Sequence, residues 1–451
     1  MDKLTLYLEV VPIPLILGVG FFMGMLYLIM PANIRFYATF LIMPAWLVAS
    51  RSPDLGPMQA FTKISSGLLF LLIALAAAMR PVPKRQIPGI GWIYMIGGLY
   101  LMLCLIGVQN TMDELVIQFQ WLMLVAAALA TVATLTTIDD IEKLIKVLTW
   151  GMILALCIPM SAVVMNPGEL FGKLGRFTPW SAEPNLIGIA FLMAAPLLLY
   201  AIMTTKSNTY KLFLIAALMG DIGMALVTGS RQVVFSLAAA MGLMCLPLIK
   251  RPGLVITGAV LGVLVIPFFW GLNQDAVGRL GSLDTSGRLA LWWEYFLLSF
   301  KQPLGLLGTS GQNAHYSMAV GAGAHPHNVF FEMLYVGGWP YLIAMLTVIV
   351  TGLRSAWRVW KVRYMYGTRN QQFMIHMLVS ILIAMYLQGM SNQVIFHPTY
   401  AWSFLCVVLT VLFIALEREM PYVEEEYLLQ FQDWDEEYEE DLNDYPEALP
   451  A

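Results

Sequence analysis

The sequence predicts an all-α fold, a polytopic transmembrane helix bundle of about 12–13 spans with a large outer loop containing interfacial helices. Three observations carry this. Of 451 residues, 59% are hydrophobic and only 12% charged, and mean hydropathy is +0.72. Apolar runs of roughly 18–25 residues recur from end to end, each long enough to cross the hydrocarbon core as a helix. The net charge of −4 hides a division, because the tail from Glu417 holds 14 of the 29 acidic residues and one of the 25 basic ones. Such a composition excludes a soluble globular enzyme.

Taken in order, the apolar runs place spans at 9–30, 36–50, 63–80, 88–108, 115–135, 144–165, 186–204, 211–228, 232–249, 253–272, 328–353, 371–391 and 399–416. The run at 36–50 is short and contains Pro44, so the count stands at 12 or 13. The organisation reads as N-terminal spans over 1–165, spans with arginine-bearing outer connections over 166–272, a large outer loop over 273–327, C-terminal spans over 328–416, and an acidic tail over 417–451. Met1-Asp2-Lys3 runs into an apolar stretch too long for a cleaved signal, so the first span is expected to remain. Cys104, Cys157, Cys245 and Cys406 lie in separate apolar runs without C-x-x-C spacing and read as small core residues. Gly20-x-x-x-Gly24 and Gly258-x-x-x-Gly262 would allow close helix contact.

Orientation follows from the basic residues. Arg80, Lys84 and Arg85, then Lys206 and Lys211, then Lys250 and Arg251, then Arg354 to Arg369 fall on alternate connections, which the positive-inside rule makes cytoplasmic. The connections near 109–114, 166–185, 229–231, 273–327 and 392–398 then face outward, and the acidic tail faces the cytoplasm as a solvated segment. Two outer connections are long, and loops of that length usually carry function. In the longer one, Leu289, Trp292, Trp293, Phe296 and Phe300 recur at helical spacing, as a helix lying in the membrane interface requires. Asp284, Thr285 or Ser286 would cap its start beside Arg288.

The outer face carries the chemistry-bearing side chains. His315, His325, His327 and His397 fall there, together with Lys173, Arg176, Arg231, Arg279 and Arg288, although the charge bias should deplete cations on that side. A basic, histidine-bearing pocket suits an anion such as a lipid pyrophosphate, because guanidinium forks match phosphate oxygens bidentately. Snorkelling to headgroups is the plainer alternative for any one of them. Arg231, in Thr228-Gly-Ser-Arg-Gln, has almost no loop to carry it away from the bilayer, so it binds an anion or pairs with a carboxylate. His327 stands at the mouth of a span in His325-Pro-His-Asn-Val-Phe-Phe-Glu, where an imidazole can take a proton near neutral pH. Glu332 would orient it, pair with an arginine, or serve as a helix-start residue, and Glu183-Pro-Asn185 would line the Arg231 pocket or form a helix-start turn. His325 and His327 as metal ligands lack a matching carboxylate or cysteine spacing, so no metal and no cofactor is expected. Asp221, mid-span, suits either proton-coupled transport or a hydrogen bond to a neighbouring helix. No nucleotide-binding motif occurs, and no nucleic-acid partner is expected.

Together these residues resemble the O-antigen ligase and polymerase superfamily of bacterial envelope glycosyltransferases over roughly residues 170–345. The motifs fall in the family's order: Pro184-Asn185 ending an outer loop, Ser230-Arg231 opening a span, Gly287-Arg288 starting a helix in the large loop, and His327-Asn328 followed by Gly338. Tyr341 and Gln232 stand where the ligase pattern has glycines. The resemblance implies metal-independent transfer of a glycan from an undecaprenyl pyrophosphate-linked donor to a hydroxyl of lipid A-core or of a second lipid-linked glycan. On that reading Arg231, Arg288 and His327 are catalytic, and Arg176, Asn185, His325, Asn328 and Glu332 contact substrate. It also implies a multi-pass protein of the bacterial inner membrane with its site on the periplasmic side. A lipid-linked sugar flippase or transporter relying on Asp221 is the reading from another class.

Overall fold

The computed structural model describes residues 13–104, 111–172, 175–246, 288–305, 326–390 and 402–443, and among these all regular structure is helical. The helices are α1 (Ile13–Ile29), α2 (Ala32–Ala49), α3 (Pro57–Ile64), α4 (Ser66–Met79), α5 (Ile93–Cys104), α6 (Thr111–Thr134) and α7 (Ile138–Met165). They continue with α8 (Pro184–Thr204), α9 (Asn208–Val227), α10 (Arg231–Cys245), α11 (Arg288–Lys301), α12 (Val329–Lys361), α13 (Arg369–Gly389) and α14 (Ser403–Asn443). Seven described helices, α2, α7, α8, α9, α12, α13 and the part of α6 from Leu115, are long and apolar enough to cross a membrane. The protein is a polytopic helical membrane protein. The expected span at 253–272 lies outside the described residues.

Two expected spans are interrupted. The run at 63–80 belongs to the pair α3 and α4, which meet at 52°. The run at 328–353 breaks at Gly338, whose φ of +66° only glycine adopts without strain. Backbone groups around this break are satisfied from outside the helix, as an apolar solvent demands: Trp339 N–H donates to Pro303 O at 2.9 Å, and Tyr100 Oη–H to Gly337 O at 3.1 Å. By contrast α2 is one 18-residue helix with Pro44 inside it.

Local chemistry starts the helices, α9, α10 and α13 within three residues of the expected spans and α7 six residues ahead of its expected start at 144. Thr137 caps α7 by accepting from Asp140 N–H, with Asp139 and Asp140 in the positive first turn. Thr368 and Gln371 form a capping box on α13, and Ser207 and Ser230 cap α9 and α10. Close approach depends on glycines that face backbone: a Cβ at Gly151 of α7 would lie 2.7 Å from Leu41 O of α2. The Gly20-Gly24 pair has no such role at Gly24, where the space is open, and Gly258-Gly262 lies outside the described residues.

One end of the bundle gathers the basic connections. Arg80 pairs with Asp140 at 2.6 Å, Arg85 with Glu419 at 2.8 Å, and Arg358 with Glu417 at 2.5 Å. The acidic tail begins as a continuation of α14 whose Glu417 and Glu419 are paired, while Glu424 and Glu425 are exposed. The opposite end carries the C-termini of α7, α9 and α13 and the N-termini of α8, α10, α11 and α12. The candidate residues lie there.

Candidate functional site

The connection from α7 to α8 is held by strained backbone. Trp180 and Ser181 both adopt positive φ, +50° and +56°, a conformation that costs a side-chain-bearing residue about 1–3 kcal/mol. Surrounding bonds hold it. Glu169, 9% exposed, accepts from Trp180 N–H, the Trp180 indole donates to Ile158 O at 3.0 Å, and Ser181 Oγ–H donates to Asp54 Oδ2 in the distant turn after α2. Upstream of this strained pair, Arg176 Nε–H donates to Thr228 O at 2.7 Å and its Nη2 to Asn185 Oδ1 at 3.1 Å. Arg176 thus ties this loop to the end of α9 and the start of α8, and Asn185 in turn donates to Glu183 at 3.4 Å.

Between α9 and α10 the chain reverses through Thr228, Gly229 and Ser230, with Gly229 at φ +57°. Ser230 N–H donates to Thr228 Oγ1, and Ser230 Oγ accepts from Val233 N–H. Arg231 is therefore the first residue of α10, at the positive end of the helix. Gly188 of α8 lets the Val233 side chain approach so closely that a Cβ there would lie 2.4 Å away. Gln232 donates to Gln388 O at the end of α13, so this side chain links two helices.

Arg288 opens α11, whose apolar residues divide between two surfaces. Trp292 stacks on Phe331 at 5.8 Å and donates to Pro326 O at 2.7 Å, and Phe296 and Phe300 pack against Trp339. Leu289, Trp293, Leu297 and Phe300 are exposed, as an interfacial helix would leave them for lipid. The caps expected at Asp284, Thr285 or Ser286 lie outside the described residues. At the end of α11, Pro303–Gly305 crosses α12 at Gly338, where a Cβ would lie 2.2 Å from Pro303 O. Tyr341 packs against Gly97 of α5 and Gly337, so neighbouring glycines make room for its ring.

His327 precedes α12 at φ +49°, again left-handed. Asn328 is the N-cap: its Oδ1 accepts from Phe330 N–H at 2.8 Å and Phe331 N–H at 3.3 Å, while its Nδ2 donates to Met390 O at 2.6 Å. The imidazole lies within electrostatic reach of Arg288 and Glu183. Burial and Arg288 push its pKa below the ordinary histidine value, and Glu183 opposes them. Arg288 is itself held below the usual arginine range, first by burial and then by repulsion from Arg231. The structure thus brings Arg231, Arg288, His327 and Glu183 together at four helix N-termini, with Arg176 and Asn185 joined to Glu183 by hydrogen bonds.

Glu332 lies one turn into α12, 3% exposed, with its carboxylate acting on the Tyr295 hydroxyl of α11. Lys173, Arg279, His315, His325 and His397 lie outside the described residues. Asp221 is fully buried in α9, and neither carboxylate oxygen has a hydrogen-bond partner among the described residues. No group of three or more His, Cys, Asp or Glu among the described residues has the arrangement of a metal site. Beside the cluster, a cavity of about 730 Å³ is lined by Asp54, Asn166, Glu169, Arg176, Ser181 and Glu183 among others.

Asp54 and Glu169 carried no sequence signal, since each is recruited by a loop distant from it in sequence or strained against it. The acidic neighbour of His327 was legible as part of Glu183-Pro184-Asn185, read as lining the Arg231 pocket or forming a helix-start turn, but its place beside His327 was not. No protein-family model matches the chain, and no curated protein matches it either.

Proposed function

We propose that this end of the bundle transfers a glycan from an undecaprenyl pyrophosphate-linked donor to an acceptor hydroxyl on the periplasmic side of the bacterial inner membrane. The observation that carries the reading is the meeting of Arg231, Arg288 and His327 from three separate segments. Two guanidinium groups that repel one another in a half-buried setting gain most from a doubly charged ligand placed between them, and helix N-termini add to that field. A pyrophosphate fits both. The acceptor oxygen attacks the anomeric carbon, the bond from that carbon to the phosphate oxygen breaks, and the proton passes to the imidazole of His327. Charge grows on the leaving pyrophosphate during the step, so both arginines bind the transition state more tightly than the ground state. The exposed apolar face of α11 and the lipid-facing helices give the polyprenyl tail an apolar path.

Purified full-length protein should bind inorganic pyrophosphate in calorimetry. Arg231→Ala and Arg288→Ala should each lose about tenfold or more in affinity. Arg288→Lys should stay impaired, because an ammonium supplies charge without the planar fork. Parent-like affinity and turnover in both alanine variants would overturn the assignment. Impermeant thiol labelling in spheroplasts tests orientation: a cysteine at position 231 should react and one at 360 should not. The acceptor class is read from a deletion strain. Loss of a ligase leaves full-length glycan unattached, and loss of a polymerase leaves single repeats attached.

A further inference from the structure

The cavity between the turn after α2 and the α7–α8 loop lies beside the arginine cluster, and Glu183 belongs to both, lining the cavity and acting on His327. Its size falls within the range of small-molecule sites. Hydroxyl, amide and carboxylate groups from Ser181, Thr178, Asn166, Asp54, Glu169 and Glu183 stand among apolar lining, and the indole of Trp180 is committed to Ile158 O and Ser161 Oγ of α7 instead of the cavity. The walls are well supported: Glu169 is tied to Trp180 and Asn166, Asp54 to Ser181, and Arg176 to Thr228 and Asn185. This is a set of acceptors and donors for sugar hydroxyls. Among the described residues its charge is one-sided as well, with the carboxylates of Asp54, Glu169 and Glu183 against the guanidinium of Arg176.

We infer that this cavity holds the acceptor sugar and selects neutral or amine-bearing sugars over those carrying a carboxylate or phosphate. The inference rests on the glycosyl-transfer reading above for the word acceptor, since Glu183 sets the cavity beside the group that takes the acceptor's proton. Discrimination follows from like-charge repulsion: three carboxylates disfavour an anionic sugar while leaving the pyrophosphate of the donor to the separate arginine pair.

The experiment places a thiol in the lining by Asn166→Cys in full-length protein whose Cys104, Cys157 and Cys245 are replaced by Ala. Gly168→Cys serves as a second reporter if the first variant unfolds on gel filtration. A cationic methanethiosulfonate should modify the thiol about tenfold faster than an anionic one, after normalisation to free cysteine, and Asp54→Asn should shrink that ratio. A glucosamine tetramer and an N-acetylglucosamine tetramer should slow modification, and a galacturonate tetramer should not. Modified protein should still bind inorganic pyrophosphate. Equal or inverted reagent rates, protection by the galacturonate tetramer, absence of protection by both other tetramers, or loss of pyrophosphate binding on modification would overturn the inference. Labelling and protection are read without turnover. Failure of pyrophosphate binding in the unmodified parent would instead overturn the proposed function and leave the cavity result standing.

Discussion

Asn328→Ala offers a direct measure of how His327 is held. The Asn328 side chain is 6% exposed and makes three bonds, two capping α12 and one to Met390 O beyond the end of α13. Loss of an N-cap costs about 1 kcal/mol. Met390 is an exposed residue, so removal of the bond to its carbonyl adds only the net worth of a hydrogen bond, about 0.5–1.5 kcal/mol. The sum is about 2 kcal/mol, large for a single polar side chain. The local consequence should exceed the global one, because His327 at φ +49° lies between this cap and Pro326, whose carbonyl is held by Trp292. Released from the cap, the imidazole relaxes away from left-handed backbone, and turnover should fall about tenfold to a hundredfold while pyrophosphate binding is kept. Asn328→Asp separates the two effects, since a carboxylate still caps α12 but donates nothing to Met390. Thermal unfolding in detergent, run beside calorimetric pyrophosphate binding and donor turnover, reads all three quantities. A melting temperature and turnover equal to the parent's in Asn328→Ala would refute the anchoring argument.

Burial and Arg288 lower the pKa of His327, so its unfolded value near 6.5 lies above its folded one. The neutral base then predominates at pH 7, and the acid limb of kcat/KM should fall below pH 6.5. Glu183→Gln should move that limb to lower pH and Arg288→Gln to higher pH; unmoved limbs in both would show that His327 is not the titrating base. The same shift makes the unfolded chain bind more protons below about pH 6.5, so this group removes stability as pH falls from there to its folded pKa. Gly338→Ala combines a φ of +66° with a Cβ 2.2 Å from Pro303 O, and it should destabilise by more than the strain alone, about 1–3 kcal/mol. Trp339 fluorescence and thermal unfolding check it, an unchanged melting temperature being the adverse result. Asp221→Asn removes a buried carboxyl that has no hydrogen-bond partner among the described residues, so unfolding temperature and glycan transfer should both be kept, whereas abolished activity in a folded variant would favour proton-coupled transport through α9.

Composition and hydropathy by themselves determined that this chain is a polytopic helical membrane protein, because hydrocarbon leaves a helix as the means of satisfying its backbone. Ser230-Arg231 also marked the start of a helix, since capping depends on neighbours two or three residues away, whereas the caps at Thr137, Ser207 and Asn328 emerged with the structure. Alternation of basic connections separated the two ends of the bundle in the same way. The breaks in α12 and between α3 and α4 were not legible, because a run of apolar side chains looks the same whether its backbone bonds are made within the helix or supplied by Pro303 and Tyr100. The pairing of the acidic tail with Arg85 and Arg358 was likewise hidden, since opposite charges attract across any sequence separation. At the site, residue types marked Arg231, Arg288 and His327, but their shared location depended on packing among α8, α10, α11 and α12. Only the tertiary structure set Glu183 against His327 and brought Asp54 to Ser181, because electrostatic reach and cavity shape arise from segments that approach one another only when the helices are packed.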